Sequence, residues 1–151
     1  MQVHIIGTGY VGLVTALALT EFENVVTCWD LNPLTIKNLS AGNPPFYEPG
    51  LKEILDRSLT KKLIHFAHID EYSIDSEIDL VFIAVGTPSF NSSIDLSFVK
   101  SASQLIARNL STDCCPTVVV KSTVTPGTTL NLVKPILQEG CKCSPDLISV
   151  A

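Results

Sequence analysis

Three glycines between Ile6 and Leu13 constrain this chain more than any other feature. The stretch VHIIGTGYVGLVTALALT, residues 3–20, passes from one apolar run to another through Gly7-x-Gly9-x-x-Gly12. Val3 to Ile6 is mostly β-branched, His4 excepted, and suits a strand buried on both faces. Beyond Gly9, the positions Val11, Leu13, Val14, Ala16, Leu17 and Ala18 read as a largely buried helix of about three turns. A strand that turns into a helix over this spacing matches the dinucleotide-binding fingerprint. Gly7 then makes the turn, Gly9 lets a pyrophosphate approach the backbone, and Gly12 lets the helix pack close to the strand. The free N–H groups of the first helical turn, around Tyr10 and Val11, face the phosphates. Turns and helix starts also produce such glycine spacing by chance, so the flanking sequence has to decide.

The next run, VVTCWD, reads as a second strand ending in Asp30, eighteen positions after Gly12. That is close to the ~20-residue offset of the acid that binds the adenosine ribose. A carboxylate there accepts from both ribose hydroxyls and repels a 2′-phosphate. NAD is therefore favoured over NADP, the more so because Leu31 and Asn32 follow with no Arg. The alternative is that Asp30 is a turn residue, or the cap of a helix starting near Pro33.

A chain of 151 residues is one domain's worth. Its hydrophobic content of 46% is ordinary, but 17% charged residues is low against ~25% for soluble domains, and the mean hydropathy is +0.34. A domain this poor in charge is expected to cover part of its surface against something else. The net charge of −5 and the scattered Lys and Arg, never more than the pair Lys61–Lys62 together, argue against a nucleic-acid surface. No apolar run approaches a membrane span, and Met1 leads into a strand rather than a signal peptide, so a cytoplasmic protein is expected. Five cysteines, an odd number, suggest reduced thiols. Neither Cys114–Cys115 nor Cys141-x-Cys143 has a His or second pair at metal-site spacing, so no metal is expected, and Cys28 reads as core packing.

Further along, a short helix is expected over Pro33 to Leu39, then an irregular loop, SAGNPPFYEPG, with three prolines and two glycines. Leu51 to Leu59 reads as a helix, LIHFA as a third strand, and Ile78 to Val85 as a fourth, central strand. Leu96 to Leu110 has helical spacing with Asp95 as N-cap, TVVVKST is a fifth strand, and Thr125-Pro126 opens another helix. DLISVA begins a sixth strand, and its position at the terminus points to a longer protein. Strands alternating with helices predict an α/β fold, a doubly wound, mostly parallel sheet of the Rossmann type.

Four blocks then resemble one family in its own order over nearly the whole chain. GTGYVGL, AGNPPFYEPGL, IAVGTP with the later DLSFV, and VVVKSTVTPGTT are similar to the NAD-binding domain of the UDP-glucose/GDP-mannose dehydrogenase family. Both Gly86-Thr87-Pro88 and Ser122-Thr123 fall just past strand ends, on the rim where ligands of open α/β sheets sit. Residues 1–151 are accordingly expected to form the NAD-binding domain, with central and C-terminal substrate domains elsewhere. Thr87 could hydrogen-bond the pyrophosphate or nicotinamide ribose, with Gly86 leaving room for the backbone to approach. Without the resemblance, Gly-Thr-Pro is simply a turn.

The resemblance implies oxidation of a nucleotide sugar's C6 alcohol to the carboxylate with two NAD in succession. It implies a cysteine thiolate that forms thiohemiacetal and thioester intermediates, placed beyond Ala151. Within this chain it implies that Thr123 helps position the reacting water or substrate oxygen, which a hydroxyl does as donor and acceptor. The alternative for Thr123 is a cap for the helix after Pro126. A nucleotide-sugar partner, UDP-glucose ahead of UDP-N-acetylmannosamine or GDP-mannose, and a homodimer or higher homo-oligomer are implied for the full-length protein. Glu48 is expected to hold its loop. One departure is Thr35, where the family commonly has a lysine five positions after the ribose-binding acid, so a contact from that side is in doubt.

Overall fold

The computed structural model describes every residue except Asn91, Ser92, Asp113 and Cys143, and the side chains of Phe90 and Pro145. In chain order the elements are β1 (Gln2–Ile6), α1 (Tyr10–Thr20), β2 (Val25–Asp30), α2 (Pro33–Ser40), α3 (Leu51–Thr60), β3 (Ile64–His68) and β4 (Ile78–Ile83). A two-residue hairpin, β5 (Ser89–Phe90) and β6 (Ser93–Ile94), precedes α4 (Ser97–Asn109), β7 (Thr117–Val120) and α5 (Lys134–Gly140). Strands β3-β2-β1-β4-β7 form one sheet, and every pairing in it is parallel. The order reverses between β1 and β4, which makes their carboxyl ends the switch point of the fold.

Alternation along the strands feeds two cores. Val3, Ile5, Val26 and Cys28 pack with Leu13, Leu17, Leu55 and Ile64 beneath α1 and α3. Ile6, Val81, Ile83 and Val118 pack with Val99, Ile106, Val133 and Leu137 on the opposite face, beneath α4 and α5. A sheet buried on both faces is what the unbroken apolar strands require.

Several boundaries differ from the sequence expectation, β4 ending at Ile83 rather than Val85 among them, and three differ for a backbone reason. The fifth strand ends at Val120 rather than Thr123, because Lys121 N and Ser122 N both donate to Ile83 O and the ladder cannot continue. Pro126 does not open the following helix. Pro126 and Gly127 form a turn with Gly127 at φ +86°, a wide π-type segment follows over Thr129–Val133, and α5 continues it. The expected sixth strand is reduced. Pro145–Leu147 close a 3-10 turn through Leu147 N to Ser144 O, and only Val150 bridges Val118 in parallel. Leu96, not the expected Asp95, is the N-cap of α4; Asp95 sits one residue further out, its Oδ1 accepting from Ser97 N at 2.8 Å.

His4 is the polar exception on the α4 face. Its ring meets Trp29 at 5.4 Å and Tyr72 at 5.6 Å, both edge-on, and those two rings meet each other at 5.2 Å. His4 Nδ1, Trp29 Nε1 and Tyr72 Oη are buried with no hydrogen-bond partner among the described residues. Burial lowers the His4 pKa to about 4, with the Asp75 charge opposing the shift. The folded protein therefore keeps His4 neutral where the unfolded chain takes up a proton near pH 6.5. The stability this gives is complete above pH 6.5 and is lost as pH falls towards 4, by about 3 kcal/mol in all. Urea midpoints should drop between pH 7 and 4.5 in the wild type and much less in His4→Val. Equal pH dependence in the two proteins would remove His4 from this role.

Candidate functional site

The glycine turn sits at the switch point. Gly7 has φ +99°, its N–H donates to Trp29 O at 2.8 Å, and a Cβ on it would meet Ala84 O at 2.6 Å. A Cβ at Gly12 would overlap the Gly7 carbonyl, so helix and turn are in backbone contact. Gly9 is different, since a Cβ there meets nothing within 4 Å. Gly9 is also the N-cap of α1, with no side-chain cap and no acidic residue in the first turn. The first N–H groups of α1 thus have no side-chain cap, the arrangement that favours an anion.

Asp30 ends β2 beside this turn. Thr8 N donates to its Oδ2 at 2.8 Å, the Thr8 hydroxyl donates to the same oxygen, and Asn32 N donates to Oδ1 at 2.9 Å. The cap of α2 is Asn32, whose Oδ1 accepts from Leu34 N and Thr35 N. Asp30 therefore ties the glycine turn to the end of β2 and leaves the helix cap to its neighbour. An ionised carboxylate has about four acceptor sites. Three donors leave one on Oδ1, and a ligand hydroxyl can compete with the Thr8 hydroxyl for another. His68 Nε2 donates to Leu31 O at 3.0 Å, and Asp70 N donates to His68 Nδ1 at 3.3 Å, so the 69–71 turn is pinned beside the same edge.

A cavity of about 740 Å³ runs from this rim along α4. Gly7, Gly9, Asp30 and Gly86 line it, joined by Thr8, Trp29 and Tyr72. Tyr10, Val11, Gly12, Thr87 and Thr123 do not. Tyr10 turns the other way, stacking on Phe46 at 5.0 Å and donating to Glu48 Oε1 at 3.0 Å, so Glu48 ties its loop to α1. That carboxylate raises the Tyr10 pKa. Val11 is exposed on α1, Gly12 lies beneath the helix, and Thr87 precedes the β5–β6 hairpin. Thr123 is exposed after Ser122, whose Oγ donates to Val85 O at 2.7 Å. The hydroxyl contacts ahead of the last helix belong to Thr125 and Thr128, 3.0 Å apart, not to Thr123.

Thr8 is a site residue that the sequence reading passed over, although a hydroxyl inside the glycine turn was a usable signal. The α4 wall was also missed, because its polar positions look like an ordinary solvated helix face. Among the described residues no three His, Cys, Asp or Glu side chains group as metal ligands, and no helix is long and apolar enough to cross a membrane. Cys28 is fully buried and its thiol pushed up by burial; Cys114 donates to Asp75 O and is also pushed up by burial. Cys143 lies outside the described residues.

The chain is similar to known proteins over nearly its whole length. Residues 1–150 match the family model described as "UDP-glucose/GDP-mannose dehydrogenase family, NAD binding domain". The UDP-glucose 6-dehydrogenase TuaD of Bacillus subtilis is 37% identical over 142 residues, covering 93% of this chain and 30% of that protein. Among solved structures, a GDP-mannose dehydrogenase ternary complex from Pseudomonas aeruginosa superposes with a TM-score of 0.90 at 30% identity, covering 99% of this chain and 35% of that one. A UDP-glucose dehydrogenase from the archaeon Pyrobaculum islandicum gives 0.84 at 36% identity, with 99% and 34% covered. The chain thus spans about a third of the length of these relatives. With its glycine turn, its parallel sheet and residues 1–150 matched, this chain belongs to the UDP-glucose/GDP-mannose dehydrogenase family, as its NAD-binding domain.

Proposed function

We propose that the cavity at the β1–β4 switch point holds NAD for the oxidation of a nucleotide sugar, UDP-glucose, at C6 to the carboxylate. The observation that carries this reading is the open space at Gly9 beside the Asp30 carboxylate, on one rim of one cavity. Gly9 and the first N–H groups of α1 receive the pyrophosphate, and Asp30 accepts from the adenosine ribose, its orientation fixed by Thr8 and Asn32. Gly86, where a Cβ would also meet nothing within 4 Å, leaves the rim open towards the nicotinamide end. NAD supplies a hydride acceptor when bound. Thr87, beyond the end of β4, serves the pyrophosphate or the nicotinamide ribose, and Thr123, beyond the end of β7, the reacting oxygen. The UDP-glucose reading is supported by relatives of that name at 36–42% identity.

Carrying an alcohol past the aldehyde to the acid needs a nucleophile that captures the aldehyde, and a thiolate does this. Cys28 and Cys114 are unsuited, because burial keeps both as thiols. The family resemblance implies that the nucleophile lies in polypeptide corresponding to the part of the relatives that this chain does not span. A full-length protein that is a homodimer or higher homo-oligomer fits the low charged fraction of this domain.

Binding and turnover measurements test this reading. Asp30→Ala should weaken NAD binding by roughly 1.5–3 kcal/mol, the range for a hydrogen bond to a charged group. Part of that loss is looser Thr8, which Thr8→Val measures separately. The wild type should bind NADP far more weakly than NAD, and equal calorimetric affinities would sink the Asp30 assignment. Gly9→Val should abolish NAD binding with an unchanged circular dichroism spectrum, since its side chain enters only open space. Unchanged affinity would make the turn purely structural. The 151-residue chain given NAD and UDP-glucose should produce no sustained NADH absorbance; steady production would place the catalytic nucleophile within it.

A further inference from the structure

The wall that α4 gives to the cavity carries Ser101 and two longer polar side chains one turn apart, Gln104 and Arg108. Both are exposed, and neither side chain has a hydrogen bond or ion pair with any described residue. Two other polar side chains of α4 bond to its own backbone. Ser103 Oγ donates to Val99 O at 2.8 Å, and Asn109 Nδ2 donates to Leu105 O at 2.9 Å. Arg108 is also the sole basic residue lining this cavity, whose other charged groups are Asp30 and Asp70. Apolar surface from Leu31, Ile69 and Leu105 lines the same space.

These groups select a ligand chemistry. Two carboxylates disfavour a further phosphate here, whereas the glycine turn already offers the anion site. A slot with apolar walls and one weakly hydrated cation suits an uncharged aromatic ring. A guanidinium stacks on such a face, and a glutamine amide pairs with both N6 and N7 of adenine. We propose that Gln104 and Arg108 form a base-recognition stripe for the adenine of the dinucleotide, with Arg108 over the ring and Gln104 at its N6/N7 edge. The proposal rests on the reading of this cavity as the NAD site. It makes α4 a specificity element as well as a core helix.

Calorimetric titration of the wild type, Arg108→Ala and Gln104→Ala with NAD, AMP, NADP and nicotinamide hypoxanthine dinucleotide tests it. Both substitutions are at exposed helix positions, and circular dichroism checks the fold. Arg108→Ala should weaken NAD and AMP by a common factor of roughly 3- to 30-fold, the range for a cation over an aromatic face. Gln104→Ala should weaken NAD several-fold and the hypoxanthine analogue less, because that base keeps N7 but has no N6 amino group to donate to the amide oxygen. Wild-type binding of NAD and AMP with unaltered affinities in both variants would overturn the stripe alone. NADP bound more tightly than NAD, with the preference lost in Arg108→Ala, would make Arg108 a phosphate ligand and overturn it too. A wild type that binds neither NAD nor AMP would remove the cavity reading and the stripe together.

Discussion

Helix α1 crosses the end of β1 so closely that one methyl group at Gly12 would overlap the Gly7 carbonyl. The same turn is pressed from the other side by β4, where a Cβ at Gly7 would meet Ala84 O. Two strands and a helix thus meet at one point with no side chain between them. This contact aims the uncapped N-terminus of α1 along the rim and leaves Gly9 as the one turn glycine facing open space. Any larger residue at Gly7 or Gly12 would push the helix away from the switch point, and the anion site would lose its geometry.

Asp30 completes that geometry by working before any ligand arrives. Its carboxylate draws Thr8 of the glycine turn and Asn32 of the next connection to a single point. The turn and the Asp30 carboxylate are therefore positioned together in the folded chain. The cost of burying part of a carboxylate is offset by these backbone and hydroxyl donors. His68 extends the arrangement by fastening the 69–71 turn to the Leu31 carbonyl.

On the α4 face the segment after β3 takes a place that a helix does not fill. Tyr72 enters the core with Trp29, and both rings pack edge-on against His4. Edge-to-face aromatic pairs contribute about 0.5–1.5 kcal/mol each beyond their buried area. Unpartnered buried polar atoms cost about 1–3 kcal/mol each. Packing therefore holds this segment while its polar atoms oppose it, and the cavity keeps its width between the segment and α4.

The sequence by itself determined the alternation of apolar strands with helices, and with it the parallel sheet covered on both faces. It also determined the turn, because glycine spacing after a strand encodes backbone contacts that no side chain can replace. Asp30 was legible from its distance along the chain, but its bonds to Thr8 and Asn32 were not. Those depend on how far β2 runs beside β1, which only the folded register sets. Gln104 and Arg108 were unreadable for a related reason. A polar helix face looks the same whether it meets solvent or a cavity, and the choice was made by a distant segment, Ile69–Tyr72, folding across the sheet. The ends of β7 and the start of α5 were also decided in three dimensions. Two N–H groups converging on the Ile83 carbonyl and a left-handed Gly127 outweighed local propensity, since a backbone donor takes whichever acceptor the packed neighbours leave within reach.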